Sequence, residues 1–107
     1  TMSRTLTLSV LGILAASLLG AAAPAGSIDW IMTPASPSAG DVVKFGVGAA
    51  TSWPVTIEFY VDGELVFSHT FEAAGIAEYT IPAAKKGTDW WVEVESDDAT
   101  DTAIGLL

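Results

Sequence analysis

A long uncharged stretch at the start of the chain divides the sequence into two unlike parts. Residues 6–23 carry no charge and consist mainly of leucine, alanine, glycine and serine. An α-helix of this length rises about 27 Å, close to the roughly 30 Å hydrocarbon thickness of a bilayer. Because Pro24 and Gly26 are typical of a helix end, we predict a hydrophobic α-helix within residues 1–26 and a separate domain over residues 27–107.

Small residues in the apolar segment predict how such a helix would be used. Gly12, Ala16 and Gly20 recur every four residues, so a helix places them on one face, where a second helix can approach closely. Any segment rich in leucine, alanine and glycine also shows this spacing by chance. If the spacing is used, we expect copies of the helix to pack together, with a neighbouring face filled by Leu11, Leu14 and Leu18.

A secretory signal peptide is the other interpretation of the same segment. Arg4 precedes the apolar run, and Ala23-Pro24-Ala25 follows it with the small-residue spacing of a cleavage site. Removal of the segment would leave a domain of roughly 80 residues. Retention predicts a mature chain that begins at Thr1 and uses the segment as an anchor or in an assembly.

The charge distribution restricts the partners and the compartment. All thirteen acidic residues lie at or after Asp29, where Lys44, Lys85 and Lys86 are the only basic residues. Such a surface repels nucleic acid and anionic lipid headgroups and suits a solvated extracellular face. The chain contains no cysteine, which excludes disulfide and thiolate chemistry. We predict export through the membrane to the extracellular space or cell surface, and no nucleic-acid partner.

Alternating apolar residues in the second part predict β-strands. Residues 55–61 place valine, isoleucine or phenylalanine at every second position, and Asp62-Gly63 follows as a hairpin turn. Seven such runs, separated by turns that contain glycine or proline, predict an antiparallel β-sandwich. The predicted strands are 27–32, 42–48, 55–61, 65–71, 76–81, 88–95 and 102–107.

The central hairpin allows two registers. A three-residue loop pairs Phe59 with Phe67 and Val61 with Leu65, which keeps the apolar side chains of both strands on one face. A two-residue turn shifts the pairing by one and mixes the two faces. We therefore predict the three-residue loop, with Leu65 and His69 on the core side of their strand.

Three motifs relate the domain to a known family. Pro37 and Gly40 precede an early strand, the run FYVDG spans residues 59–63, and Gly87 precedes Trp90. With these motifs the domain resembles the Ig-like domains of bacterial and archaeal cell-surface proteins. The resemblance implies an Ig-like sandwich, a fold that hosts adhesion, spacer and binding roles alike.

The layout of the whole chain has its own resemblance. An apolar N-terminal helix followed by an Ig-like sandwich is similar to archaeal type IV pilins and archaellins. In those filaments the helices form the central core and the β domains coat it. The expected fold class is therefore mainly β, with an N-terminal hydrophobic α-helix followed by a seven-stranded Ig-like antiparallel sandwich.

Few residues point to chemistry. His69 is the single histidine, and without a cysteine or a second histidine it has no obvious partner for catalysis or for a metal. Asp97, Asp98 and Asp101 could offer oxygen ligands to calcium, but their spacing does not match an EF-hand loop, and a solvated acidic turn is the preferred interpretation. We predict no enzyme activity, no metal or other cofactor, and no small-molecule substrate.

The tryptophans are the better candidates for partner contacts. Trp90 and Trp91 are consecutive in a predicted strand, so one must face the core and the other the outside. Trp53 lies in a predicted loop. Trp91 and Trp53 are therefore candidate contacts, for a neighbouring subunit or for a glycan.

Two functional hypotheses follow. The first is a non-enzymatic structural subunit of an extracellular filament or cell envelope, which meets the membrane before assembly and then self-associates through the hydrophobic helix, leaving the acidic sandwich exposed. The alternative is a secreted Ig-like module that binds glycan or protein after removal of the signal peptide.

Overall fold

A computed structural model of the protein describes residues 26–107, which form an all-β domain. Alternation of apolar and polar residues, interrupted by turns, produces seven strands, and their ends differ from the predicted ones by at most two residues. The strands are β1 (Ile28–Thr33), β2 (Val42–Ala50), β3 (Val55–Val61), β4 (Glu64–Phe71), β5 (Gly75–Thr80), β6 (Asp89–Glu95) and β7 (Thr100–Leu106).

The strands form two antiparallel sheets that pack as a sandwich. One sheet has three strands in the order β1-β2-β5, and the other has four in the order β4-β3-β6-β7. Consecutive strands therefore pair as β1–β2, β3–β4 and β6–β7, whereas β2 pairs with β5 and β3 with β6 across the intervening chain. The outermost strands are β1 and β5 in the smaller sheet, and β4 and β7 in the larger one.

Aromatic and branched side chains fill the space between the sheets. Phe45 of β2 and Phe59 of β3 are fully buried, with ring centroids 5.3 Å apart across the sandwich. Phe59 also lies 6.1 Å from the ring of Trp90 in β6. The buried positions of β2, β3 and β6 are the ones that the alternation predicts, namely Val43, Phe45, Val47, Val55, Ile57, Phe59, Val61, Trp90, Val92 and Val94.

The predicted combination of an N-terminal α-helix with a sandwich is wrong for the part of the chain that the structure describes. Residues 26–107 contain no α-helix, and their single helical turn is the short 3-10 element Ala83–Lys85. The physical reason is the spacing of the apolar residues, which recur about every two positions along these residues and not every 3.6 positions as in a helix. The helix was predicted for residues 1–26, of which residues 1–25 lie outside the described part.

Within the described range, no helix is long and apolar enough to span a bilayer.

The predicted register of the central hairpin is correct at one end and wrong at the other. Phe59 pairs with Phe67 as expected, but Val61 pairs with Glu64 rather than with Leu65. The turn contains only Asp62 and Gly63, and a β-bulge that adds one residue to β4 restores the expected pairing. Leu65 therefore lies opposite Tyr60 on the outer face, where it is 50 % exposed.

Candidate interaction surface

Two aromatic side chains stack on the outer face of the larger sheet. Tyr60 of β3 and Trp91 of β6 are directly paired, and both are half-buried. Their ring centroids lie 4.5 Å apart with an angle of 16° between the planes. This separation matches the distance between neighbouring strands, so the rings stand upright on the sheet and face each other. Their edges, rather than their faces, point to solvent.

Apolar side chains continue this pair across the whole sheet. Tyr60 is also paired with Leu65 of β4, and Trp91 with Ile104 of β7, which is 79 % exposed. The result is one cross-strand row, Leu65–Tyr60–Trp91–Ile104, which we call the outer apolar row. Side chains that are paired directly across strands lie within contact distance, so the four residues form one continuous surface.

A row of carboxylates runs beside the outer apolar row. Glu58 of β3 is paired with Glu93 of β6, which places two negative charges next to each other. Each carboxylate accepts a hydrogen bond from an aromatic neighbour: Tyr60 Oη donates to Glu58 Oε1 at 3.0 Å, and Trp91 Nε1 donates to Glu93 Oε2 at 3.2 Å. The two hydrogen bonds connect the row of carboxylates to the outer apolar row.

The same contact changes the acidity of the phenol. The hydrogen bond to Glu58 raises the pKa of Tyr60, with smaller contributions from desolvation and from the negative charges of Glu58 and Glu93. Tyr60 therefore stays protonated and continues to donate to Glu58 over the physiological pH range.

The two tryptophans predicted as partner contacts lie on different sides of the sheet. Trp91 is on the outer face, as the alternation of β6 predicts. Trp53, in the loop before β3, is half-buried and packs against the core. Only Trp91 belongs to the outer apolar row. The residues predicted to pack helices lie outside the described part of the chain, namely Leu11, Gly12, Leu14, Ala16, Leu18 and Gly20.

His69 lies on the core side of β4, as predicted, but it remains exposed because β4 is an outermost strand. Its ring centroid is 4.5 Å from that of Phe71 and 6.5 Å from that of Phe67. These contacts make His69 an aromatic extension of the core at the edge of the sandwich.

The acidic side chains near the β6–β7 turn make separate contacts. Asp98 Oδ2 accepts a hydrogen bond from Thr51 Oγ1 at 2.9 Å, and Asp101 Oδ2 accepts one from Trp30 Nε1 at 2.8 Å. Among residues 26–107 no three acidic or histidine side chains group closely enough to hold a metal ion. Asp97 instead lines a shallow cleft of about 210 Å³, open to solvent, together with Pro54, Thr56, Glu95 and Ser96.

The sequence did not single out Tyr60 or Ile104 as candidate residues. Both residues lie at outward-facing positions of strands, and this position was the only feature of the sequence that could have identified them. Tyr60 and Ile104 lie beside Trp91 because the strand order is β4-β3-β6-β7. The alternation of apolar and polar residues within each strand does not predict that order.

Comparison of the chain with protein-family models, with curated proteins and with solved structures finds no match.

Proposed function

We propose that the chain is a non-enzymatic structural subunit of an extracellular filament or cell envelope, and that it associates with further copies of itself. The observation that carries the proposal is the outer apolar row, which crosses all four strands of the larger sheet and ends at the exposed Ile104. A continuous exposed apolar surface on a small domain is typical of a protein contact. The carboxylates beside the outer apolar row keep the surface around it polar and solvated.

The apolar segment, residues 6–23, supports an exported location. Its lack of charge, together with Arg4 before it, is typical of a segment that engages a membrane during export. The strongly acidic domain that follows suits an aqueous environment. In this proposal the segment brings the chain to the membrane, and the β-sandwich provides the exposed surface of the assembly.

The arrangement of the strands supports the resemblance to Ig-like domains. Seven strands in two sheets, with β3 paired to β6 and β6 to β7, follow the order of the C, F and G strands of an Ig sandwich. The fourth strand joins this sheet instead of the smaller one, as strand C′ does in the variable type. We propose an Ig-like fold on this ground, and the functional argument does not depend on it.

A secreted sugar-binding module is the alternative, and Trp91 beside Glu93 is the feature that would serve it. The stacking of Tyr60 on Trp91 favours the protein contact, because each ring covers one face of the other and a sugar needs an exposed ring face.

The test is the native mass of the full chain in mild detergent, measured by size-exclusion chromatography with light scattering over a range of concentrations. We expect oligomers, and we expect Trp91→Thr to weaken their association by about tenfold or more. The matched control is Ile76→Thr, which removes an exposed apolar residue from the outer face of the smaller sheet. A wild-type chain that stays monomeric, or equal effects of the two variants, would contradict the proposal.

A further inference from the structure

We propose that the outer edge of β7 binds β7 of a second copy, so that the two four-stranded sheets continue into one another. The inference rests on the self-association proposed above and adds to the outer apolar row an edge contact at its Ile104 end.

Within residues 26–107 no strand pairs with the outer edge of β7, so this edge presents open backbone hydrogen-bonding groups. Leu107, which continues the strand, donates its N–H to Thr88 O and accepts from Gly87 N–H, both at 2.9 Å. Alternate residues of an antiparallel strand point their N–H and C=O groups the same way. The odd-numbered residues of β7 therefore bond to β6, and Ile104 and Leu106 direct their backbone groups away from the sheet.

One of the outward groups is already satisfied within the domain. The N–H of Thr102 donates to Asp101 Oδ1 at 2.9 Å, which covers the edge at this point. The open section of the edge therefore comprises the N–H and C=O groups of Ile104 and Leu106. Four such groups form two hydrogen-bonded sites for an added strand.

The side chains around the open section favour strand addition. Ile104 is 79 % exposed and Leu106 is 71 % exposed. Natural edge strands are usually protected by lysine, proline or an inward-pointing charge at such positions. The sequence of β7 contains neither lysine nor proline, and Asp101, its single charged residue, accepts the hydrogen bond from Trp30.

Charge selects β7 among the four outermost strands. The domain carries thirteen carboxylates against three lysines, so two copies repel each other except where the contact is uncharged. Each of the other outermost strands contains an exposed carboxylate: Asp29 in β1, Glu64 in β4 and Glu78 in β5. A two-fold contact brings identical edges together, so the exposed carboxylates of both edges are held close to one another. Only β7 avoids this repulsion.

The positions of the open groups fix the register. A two-fold axis at Gly105 places Ile104 opposite Leu106 of the second copy, and each such pair exchanges two hydrogen bonds. All four open groups of each copy are then satisfied. The same register places Ile104 and Leu106 of the two copies side by side on the outer face, so the outer apolar rows of both copies join into one surface.

A backbone test follows from the orientation of Ile104. Ile104→Pro removes an N–H that points outward, so no hydrogen bond within the domain is lost. We expect the full chain in mild detergent to associate about ten- to a hundredfold more weakly, because two intermolecular hydrogen bonds are lost per dimer. Ile104→Val is the matched control and should associate like the wild-type chain. Far-UV circular dichroism and the thermal midpoint check that the proline variant keeps its fold.

A cross-linking test reads the register and does not depend on the proline variant. The chain has no cysteine, so Ile104→Cys and Leu106→Cys each introduce one unique thiol. Residues opposite each other in a hydrogen-bonded pair have Cα atoms about 5.5 Å apart, within disulfide range. Oxidation of a mixture of the two variants should give the mixed disulfide in large excess over either homodimer.

The outcomes distinguish failure of the β7 contact from failure of the proposed self-association. Association of the wild-type chain without weakening by Ile104→Pro, or without the mixed disulfide, would overturn the β7 contact and leave self-association in place. A wild-type chain that stays monomeric would overturn both proposals.

Discussion

Trp30 Nε1 donates a 2.8 Å hydrogen bond to Asp101 Oδ2, and this contact joins β1 of the smaller sheet to β7 of the larger one. The other oxygen of the same carboxylate accepts the N–H of Thr102 at 2.9 Å. One side chain therefore links the two sheets and also covers part of the β7 edge. The contact connects positions 71 residues apart in the chain, so it closes one side of the sandwich.

Removing this carboxylate should destabilise the domain. Asp101→Ala leaves the half-buried Trp30 Nε1 and the Thr102 N–H without their partner, and we expect the free energy of unfolding to fall by about 1–3 kcal/mol. Urea unfolding followed by circular dichroism measures the change. The control is Asp97→Ala, an exposed aspartate of the neighbouring turn, with an expected change within about 0.5 kcal/mol. Equal effects of the two variants would contradict the role of the contact.

Close packing against Trp90 should make Gly105 intolerant of any side chain. A Cβ atom at Gly105 would lie 2.7 Å from Trp90 Cζ2 and Nε1, and Trp90 is only 3 % exposed. We expect Gly105→Ala to cost about 1–3 kcal/mol of stability through overpacking. The control is Gly48→Ala in β2, where the nearest atom to a Cβ is 3.5 Å away, an ordinary contact. Thermal unfolding of both variants measures the difference, and a Gly105→Ala variant as stable as the control would disprove the packing argument.

The Glu58 contact should be detectable in the titration of Tyr60. The contact raises the pKa of Tyr60, so Glu58→Gln should lower it towards the usual value of about 10. Absorbance at alkaline pH measures phenolate formation, and Tyr60→Phe identifies the signal of Tyr60, because the chain has only one other tyrosine, Tyr79. An unchanged titration curve in Glu58→Gln would contradict the influence of the Glu58 carboxylate on Tyr60.

The direction of the pH effect on stability follows from the same shift. A group whose pKa is raised in the folded state binds its proton more tightly there than in the unfolded state. Its stabilising contribution is complete below the unfolded pKa and is lost as the pH rises through the folded pKa. The wild-type chain should therefore lose more stability than Glu58→Gln as the pH rises above about 10. Urea unfolding of both chains at neutral and alkaline pH tests the difference.

The β3–β4 turn should depend on Gly63. Asp62 has a φ of 54° and Gly63 a φ of 81°, as a two-residue hairpin turn of type I′ requires. A Cβ at Gly63 would meet nothing within 4 Å, so Gly63→Ala tests backbone strain alone, at an expected cost of about 1 kcal/mol. Asp62→Asn is the control and should change stability by less than about 0.5 kcal/mol, because asparagine tolerates a positive φ. Thermal unfolding that ranks the two variants in the opposite order would exclude this turn geometry.

Local patterns were sufficient to locate the strands and their inward faces. Alternation placed Phe45, Phe59 and Trp90 towards the core and Trp91 outside, and the structure has all four side chains there. Patterns of this kind depend only on the two-residue period of a strand, which is present in the sequence itself.

Features that depend on distant contacts could not be predicted in this way. The bulge in β4 compensates for a short turn, so counting loop residues placed Leu65 on the wrong face. The stacking of Tyr60 on Trp91 requires β3 to pair with β6, and the hydrogen bond from Trp30 to Asp101 requires β1 to lie near β7. Strand order and sheet packing decide these contacts, and several orders are compatible with the same alternation.

The placement of two consecutive tryptophans on opposite faces of β6 gives the protein two separate optical reporters. Trp90 is enclosed in the core, so its fluorescence should be blue-shifted in the folded domain and move to the red when the core opens. Trp91 stands at the outer surface against Tyr60, so its emission should respond to whatever covers the outer apolar row. Variants that keep only Trp90 or only Trp91 of the four tryptophans would therefore distinguish unfolding from assembly.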